Sequence, residues 1–344
     1  MRAVRFAGDG AVRVGPVAEP VLKDPADAIV RVRRAAICGT DLHTVAHGTS
    51  LGLGAVLGHE FAGEITALGP AVAGHRIGDL VVGGDFTACG TCWWCRRGDH
   101  WECGQRRFFG TGGAFGPPLD GAQAELVRVP FADTVLRAIP DGVSLDAAVF
   151  LGDTLATGYA AVQRGGLVPG DCVAVLGGGP VGQLTSLVAQ ACGAASVVLA
   201  EPIAGRRDLA VREGALAVAP ENARELIDRL TEGRGADVVI DAIGGPAGLD
   251  LALATVRRRG TVVSVGVHTG PAWPMPVADA FAGELTLRFV IGDFLRDADP
   301  ICALVRSGAV DPTVVASETV PLDAASEAYR RMGERRTLKT LIAL

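Results

Sequence analysis

The chain reads as an α/β protein in two parts. One part is rich in short strand-like runs that suit a partly open β-barrel, and the other is a doubly wound parallel sheet. Three observations predict this. Residues 236–244 (ADVVIDAIG) and 260–267 (GTVVSVGV) are short β-branched runs of the kind buried on both faces of a parallel sheet. Helical patterns over 205–215, 221–232 and 246–258 alternate with them. A glycine cluster at 177–182, GGGPVG, separates a strand-like run from an apolar helical pattern. The chain has 344 residues, 49% of them hydrophobic, which is enough for two cores.

The first 150 residues are rich in Gly, Val and short strand runs, as a barrel requires. They open on MRAVRFAGDG, which lacks the apolar core of a secretory leader, so a reducing cytoplasm is the expected setting. The formal charge of -6 argues against nucleic acid as a partner. The basic run Arg257-Arg258-Arg259 is expected to be a solvated helix end. From Cys172 to Ala200 no residue is charged, a length that could span a bilayer. Gly177 to Pro180, with Gln183, Thr185, Ser186 and Gln190, favour a strand, a turn and a buried helix instead, so no membrane partner is expected.

Within that first part lie ICGTDLHTVAHG (37–48) and LGHEFAGEI (57–65), and FLGDTLATGY (150–159) closes it. Taken singly, Cys38, His59 and Asp153 carry little signal. Together they offer one sulfur, one nitrogen and one oxygen, and three protein ligands plus water is the pattern of a catalytic zinc. Such an ion lowers the pKa of a bound hydroxyl. His47, His75 and His100 have no partner motif and are expected at the surface.

Between them, CGTCWWCRRGDHWEC (89–103) gathers four of the eight cysteines and three of the four tryptophans. The spacing Cys89-x2-Cys92-x2-Cys95-x7-Cys103 suits four thiolates closing a tetrahedral zinc. Disulfides or an iron–sulfur cluster are the alternatives. A site closed by four sulfurs has no room for substrate, so this loop is expected to be a structural staple and the chemistry to lie elsewhere.

These motifs, CGTDLH, GHEFAGEI, the four-cysteine lobe, GDTLATGYAA and GGGPVG in that order, resemble the zinc-dependent medium-chain alcohol dehydrogenases over nearly the whole chain. The resemblance implies that Cys38 and His59 hold a catalytic zinc, with Asp153 where relatives carry a third ligand. It implies that Glu60 is an alternate ligand, that Thr40 takes the alcohol proton and that His43 relays it toward water. The physical reading agrees, because hydride leaves an alkoxide far more readily than an alcohol.

In the second part, Gly177, Gly179 and Gly182 make G-x-G-x-x-G after a strand and at the start of a helix, with Pro180 and Val181 inside the motif. Glu201 follows at the end of the next strand-like run, about 19 residues beyond Gly182. Strand, tight turn, helix and acid in this order form a Rossmann dinucleotide signature, with the acid on the adenosine ribose. That acid predicts NAD over NADP. By resemblance, Val265, Gly266 and Val267 hold the nicotinamide carboxamide with backbone groups, with His268 nearby. Thr157 presses on the ring, Arg206 lies near the ribose and Lys339 reaches the pyrophosphate.

The resemblance also implies a GroES-like catalytic domain over 1–153, with its zinc lobe at about 86–105. An NAD-binding domain over 154–293 follows, and 294–344 completes the first. Two zinc ions per chain, NAD, and an assembly of two or four copies built on sheet edges are expected. The expected reaction moves hydride between a primary, secondary or polyol alcohol and NAD, giving an aldehyde or ketone. A formaldehyde dehydrogenase or dismutase is an alternative, because RRFFGTGGAFGPPLDGAQAE (106–125) resembles the long insert of that branch. A zinc-binding interaction protein without turnover is another. Asp85, Phe86, Trp94, Phe108 and Phe109 are expected near the pocket mouth, where Asp85 would suit a hydroxylated substrate.

Overall fold

The computed structural model describes residues 1–47 and 51–344, and the side chain of His47 lies outside the described residues. Two compact units emerge, one of Met1–Ala156 with Asp293–Leu344, the other of Thr157–Gly292.

The first unit starts with a hairpin of β1 (Arg2–Gly8) and β2 (Ala11–Pro16). It continues through β3 (Ala28–Ala36), α1 (Gly39–His47), β4 (Glu60–Leu68) and β5 (Leu80–Gly83). After the cysteine loop come β6 (Leu126–Val129), α2 (Ala132–Val135), β7 (Leu136–Ala138) and α3 (Leu145–Ala148). Helix α4 (Thr154–Gly165) then carries the chain into the second unit. There the order is β8 (Cys172–Leu176), α5 (Pro180–Ala191), β9 (Ser196–Ala200), α6 (Ala204–Arg212), β10 (Leu216–Val218) and α7 (Ala223–Thr231). It goes on through β11 (Ala236–Asp241), α8 (Gly245–Thr255), β12 (Val256–Ser264), α9 (Val277–Ala282) and β13 (Thr286–Phe289). The chain returns to the first unit as α10 (Phe294–Arg306), β14 (Glu318–Pro321), α11 (Ala325–Gly333) and β15 (Thr340–Ala343).

The first unit is built on a seven-stranded sheet ordered β14-β15-β3-β4-β5-β7, with β6 also on β3. The nine-residue β3 is its spine, because β15, β4 and β6 all pair with it antiparallel. Its apolar positions Ala28, Ile29, Val30 and Val32 are buried, while Arg31 points out. The second unit is a six-stranded sheet, β10-β9-β8-β11-β12-β13, parallel at every pair. All five residues of β8 are buried, which is why its sequence is a continuous apolar run rather than an alternating one. Ala174, Leu176, Val198, Ile227, Val239 and Val262 share one core on this sheet.

Two expectations are corrected. The pattern over 246–258 breaks at Val256, because the arginines belong to β12. The β11–β12 register shifts between Ala236 and Val238, and Arg259 takes a left-handed φ of 57°. The basic run thus sits in a bulge where Arg257 meets Asp237 at 2.5 Å. The charge-free stretch is β8, α5 and β9, and among the described residues no helix is long and apolar enough to cross a membrane.

Candidate active site

In the cysteine loop, the four sulfurs of Cys89, Cys92, Cys95 and Cys103 lie within 4.8 Å of one another. The sulfurs of Cys92 and Cys95 lie 3.5 Å apart, and every cysteine of the chain is a free thiol. Backbone N–H groups of Cys92 and Gln105 donate to the sulfurs of Cys89 and Cys103 at 3.4 Å. Such donors favour thiolates. Partial burial opposes this at Cys89, but hydrogen bonds from Thr91 and Cys92 bring its thiol down to about 6. Four converging sulfurs with backbone donors suit a closed zinc site and leave no ligand position for a substrate.

The second cluster is set by strand register. Ala36 on β3 pairs with Glu60 on β4, so Cys38, just past β3, and His59, just before β4, face each other. Asp153 comes from the turn that opens α4. The sulfur, the imidazole nitrogen and a carboxylate oxygen lie within 4.8 Å of one another. Asp153 Oδ2 is 3.4 Å from Cys38 Sγ and 3.3 Å from His59 Nε2. His59 is fully buried, yet neither ring nitrogen has an aligned hydrogen-bond partner. One soft, one borderline and one hard donor around a buried, unbonded imidazole fit zinc with an open fourth position. Burial pushes the Cys38 thiol up. Burial also works to lower His59, but Asp41 and Cys38 reverse this and hold it well above its usual value. Burial would raise Asp153, yet the His59 ring beside it keeps it below the carboxylate range. A positive charge is favoured at the centre of this cluster.

Around it lies a supporting layer absent from the sequence reading. Asp41 sits 3.3 Å from His59 Nδ1, and its other oxygen accepts from Cys38 N and from Gln123, each at 3.0 Å. Tyr329 in turn donates to Gln123 at 2.7 Å. Asp41 lies inside the CGTDLH motif and so carried a signal, whereas Gln123 and Tyr329 carried none. Thr40 and His43 are both on α1, one turn apart, and His43 is exposed.

Glu60 and Lys339 are paired with each other. The Glu60 carboxylate stands outside the three-ligand group, held by the Thr154 hydroxyl and by Lys339 Nζ at 2.5 Å. Burial raises Glu60 to about 7, with Lys339 opposing. Lys339 is 1% exposed, and its ammonium meets Glu60 and the Thr154 hydroxyl. The cause is again register, since β15 pairs Leu341 with Ala36 and sets Lys339 beside Cys38. The expected surface position of His100 is corrected, because its Nδ1 is bound by Asp293 at 3.1 Å and its side chain is mostly covered, whereas His75 is half-buried. Of the residues expected at the pocket mouth, Trp94 is exposed, Phe86 and Phe109 are core, and Phe108 packs edge-on to the His59 ring at 5.1 Å.

In the second unit, Gly177 to Gly179 form the turn between β8 and α5, Pro180 is the first helical residue and Val181 follows it. A Cβ on Gly182 would collide with the Gly177 carbonyl, so only glycine lets the helix close on the turn. Glu201 ends β9 and is 3% exposed, so it is no surface acid. Its oxygens accept from Gly178 N at 2.7 Å and Ile203 N at 2.9 Å. Arg206 accepts from Gln183 through its carbonyl, and Arg207 donates to the carbonyls of Glu201 and Pro202 at 2.8 Å. Thr157 lies against Gly292. Val265 and Gly266 donate to the Asp241 carbonyl, Val267 is half exposed, and His268 meets Ser264 at 2.8 Å. Asp241 is a further residue that sequence reasoning missed, since its carboxylate holds Ile243, Gly244 and Ser264.

Residues 24–141 match the alcohol dehydrogenase GroES-like domain family, and residues 180–300 match the zinc-binding dehydrogenase family. A Mycobacterium tuberculosis protein described as a "probable zinc-binding alcohol dehydrogenase" is 39% identical over 96% of this chain and 84% of its own. The D-xylulose reductase A of Aspergillus niger is 31% identical over 94% of this chain and 91% of its own. The solved alcohol dehydrogenase TADH from Thermus sp. ATN1 superposes with a TM-score of 0.96 at 40% identity, covering 100% of this chain and 99% of that one. The chain belongs to the zinc-dependent medium-chain dehydrogenase family, with a GroES-like unit and a Rossmann-type unit.

Proposed function

We propose that the chain is an NAD-preferring dehydrogenase that interconverts an alcohol and its aldehyde or ketone at the Cys38–His59–Asp153 site. The observation that carries this is the convergence of those three donors around a buried imidazole with no aligned partner. Bound there, zinc supplies Lewis-acid polarisation of a hydroxyl, and the nicotinamide supplies the hydride acceptor. Cys38, His59 and Asp153 would hold the metal, and Asp41 fixes the His59 ring from its far nitrogen. Thr40 receives the hydroxyl proton, and His43, one turn on along α1 and exposed, passes it to water. The likeness to a protein named D-xylulose reductase A supports trying polyols among the first substrates.

Glu201 supports NAD. Each of its oxygens takes one backbone N–H and keeps a lone pair for a ribose hydroxyl. The same charge repels a 2′-phosphate, and about 1.4 kcal/mol of repulsion is a tenfold preference. Arg207 is turned onto backbone carbonyls. Steady-state kinetics on an alcohol panel should show NAD favoured by at least about tenfold in kcat/KM, with the ratio narrowing in Glu201→Ala. Equal or better rates with NADP would overturn the cofactor assignment, and no alcohol turnover by zinc-loaded protein with either cofactor would overturn the function.

The free state of all eight cysteines supports a reducing, cytoplasmic setting. A homodimer or homotetramer is part of this reading, supported by the edge strand β13 and the exposed Val277, Phe281 and Phe289 around it. Molar mass in solution tests it.

A further inference from the structure

Five buried acids belong to the unit that carries the metal residues. Asp27 holds Arg128, Asp41 holds His59 and Gln123, and Glu60 holds Lys339. Asp293 caps α10 and binds His100. Asp85 is different. It is 6% exposed, yet among the described residues its carboxylate has no donor beyond its own backbone N–H. Its structural work is done by the backbone, where its carbonyl accepts from Phe109 N at 3.1 Å. Burying a carboxyl with no partner is costly, and an apolar residue of similar size would cost the fold less.

Its position is what gives the group a use. A Cβ on Gly152 would collide with the Gly83 carbonyl, so the chain leading into Asp153 runs directly against the chain leading into Asp85. Asp153 and His59 are accordingly the side chains whose charge Asp85 feels most. The neighbouring wall is aromatic. Phe108 is bridged to Phe86 and packs on His59, on Trp101 at 6.1 Å and on Phe115 at 5.3 Å. An apolar wall with one unspent polar group is how pockets orient small ligands.

We propose that Asp85 is a specificity-determining residue of this site, whose carboxyl accepts a hydrogen bond from a second hydroxyl on the substrate, so that diols and polyols are preferred to plain alcohols. This rests on the alcohol-oxidation reading above and adds to it a substrate class and the residue that selects it. The second hydroxyl loses water on entering the site and regains an acceptor at Asp85, while a plain alcohol leaves the carboxyl unpartnered.

The test compares 2,3-butanediol with 2-butanol, which differ by one hydroxyl, in zinc-loaded wild type, Asp85→Leu and Asp85→Asn. Leucine removes the acceptor and fills the space, whereas asparagine keeps an acceptor and drops the charge. The diol-to-monoalcohol ratio of kcat/KM should fall about tenfold to a hundredfold in Asp85→Leu, chiefly through the diol KM, with Asp85→Asn between. Zinc content and thermal midpoint should hold or rise in Asp85→Leu, since the acid lacks a partner. A ratio within about twofold of wild type in both variants, or an equal loss on both substrates, overturns the assignment to Asp85. Wild type turning over neither compound nor any other alcohol overturns the underlying reading, and the assignment with it.

Discussion

Lys339 carries a charge into a place where no water solvates it, and the structure shows what compensates. Its ammonium meets Glu60 at 2.5 Å, with both side chains at most 1% exposed. Such a pair adds little against an apolar substitute, but breaking it leaves a lone buried charge. Lys339→Met is therefore expected to cost about 3–5 kcal/mol in denaturant unfolding. Lys339→Met combined with Glu60→Gln should recover much of that loss. A double variant no better than the single one would mean that the two charges do not depend on each other. The contact was invisible in the sequence for a simple reason. Lys339 and Glu60 lie at distant positions, and only the pairing of Leu341 with Ala36, and of Ala36 with Glu60, sets them together. A lysine near the end of LKTLIAL offers no hint of which register it will adopt.

At the scale of elements, the turn between β8 and α5 is a tightly constrained junction. Gly178 is tied to Glu201 at 2.7 Å, Gln183 bonds the Gly178 carbonyl at 3.2 Å, and Gly182 touches the Gly177 carbonyl. Gly182→Ala pushes a methyl into backbone, which cannot step aside as a side chain can. A loss of about 1–3 kcal/mol is expected, together with weaker NADH binding by fluorescence titration. An unchanged urea midpoint and affinity would show that α5 can shift freely. This junction was readable in advance because each of its demands is local. Strand, glycines, proline, helix and acid succeed one another within one short stretch, so the sequence order is the spatial order. The cysteine loop was readable for the same reason. The Asp41–Gln123–Tyr329 chain was not, since each link crosses between separate elements. The arginine run misled because a helix end and a strand bulge share one composition, and the register slip between β11 and β12 decided which it is.

Across the whole molecule the two donor clusters differ in kind. Four thiols enclose one site, while three mixed donors leave the other with a free position. Fully loaded protein should carry two zinc ions per chain by elemental analysis. A chelator should strip the Cys38 site first, taking activity with it before the thermal midpoint moves. Cys92→Ser should instead lose the other ion and lower the midpoint. Loss of both ions at one rate would show that the sites are not independent. The unit that holds both clusters is made from two lengths of chain, Met1–Ala156 and Asp293–Leu344, with a complete second unit between them. This division sets an order of events on the ribosome. The cysteine loop is contiguous and can fill with metal as soon as it emerges. Cys38, His59 and Glu60 emerge early as well, but β15 and Lys339 are made only after the intervening unit, a delay on the order of ten seconds at ordinary rates of synthesis. Through that interval the spine strand β3 has an open edge where β15 will pair, and Glu60 lacks its cation. The nascent polypeptide thus carries its future reaction centre half-built, and the later-made strand both seals the sheet and neutralises the acid beside it.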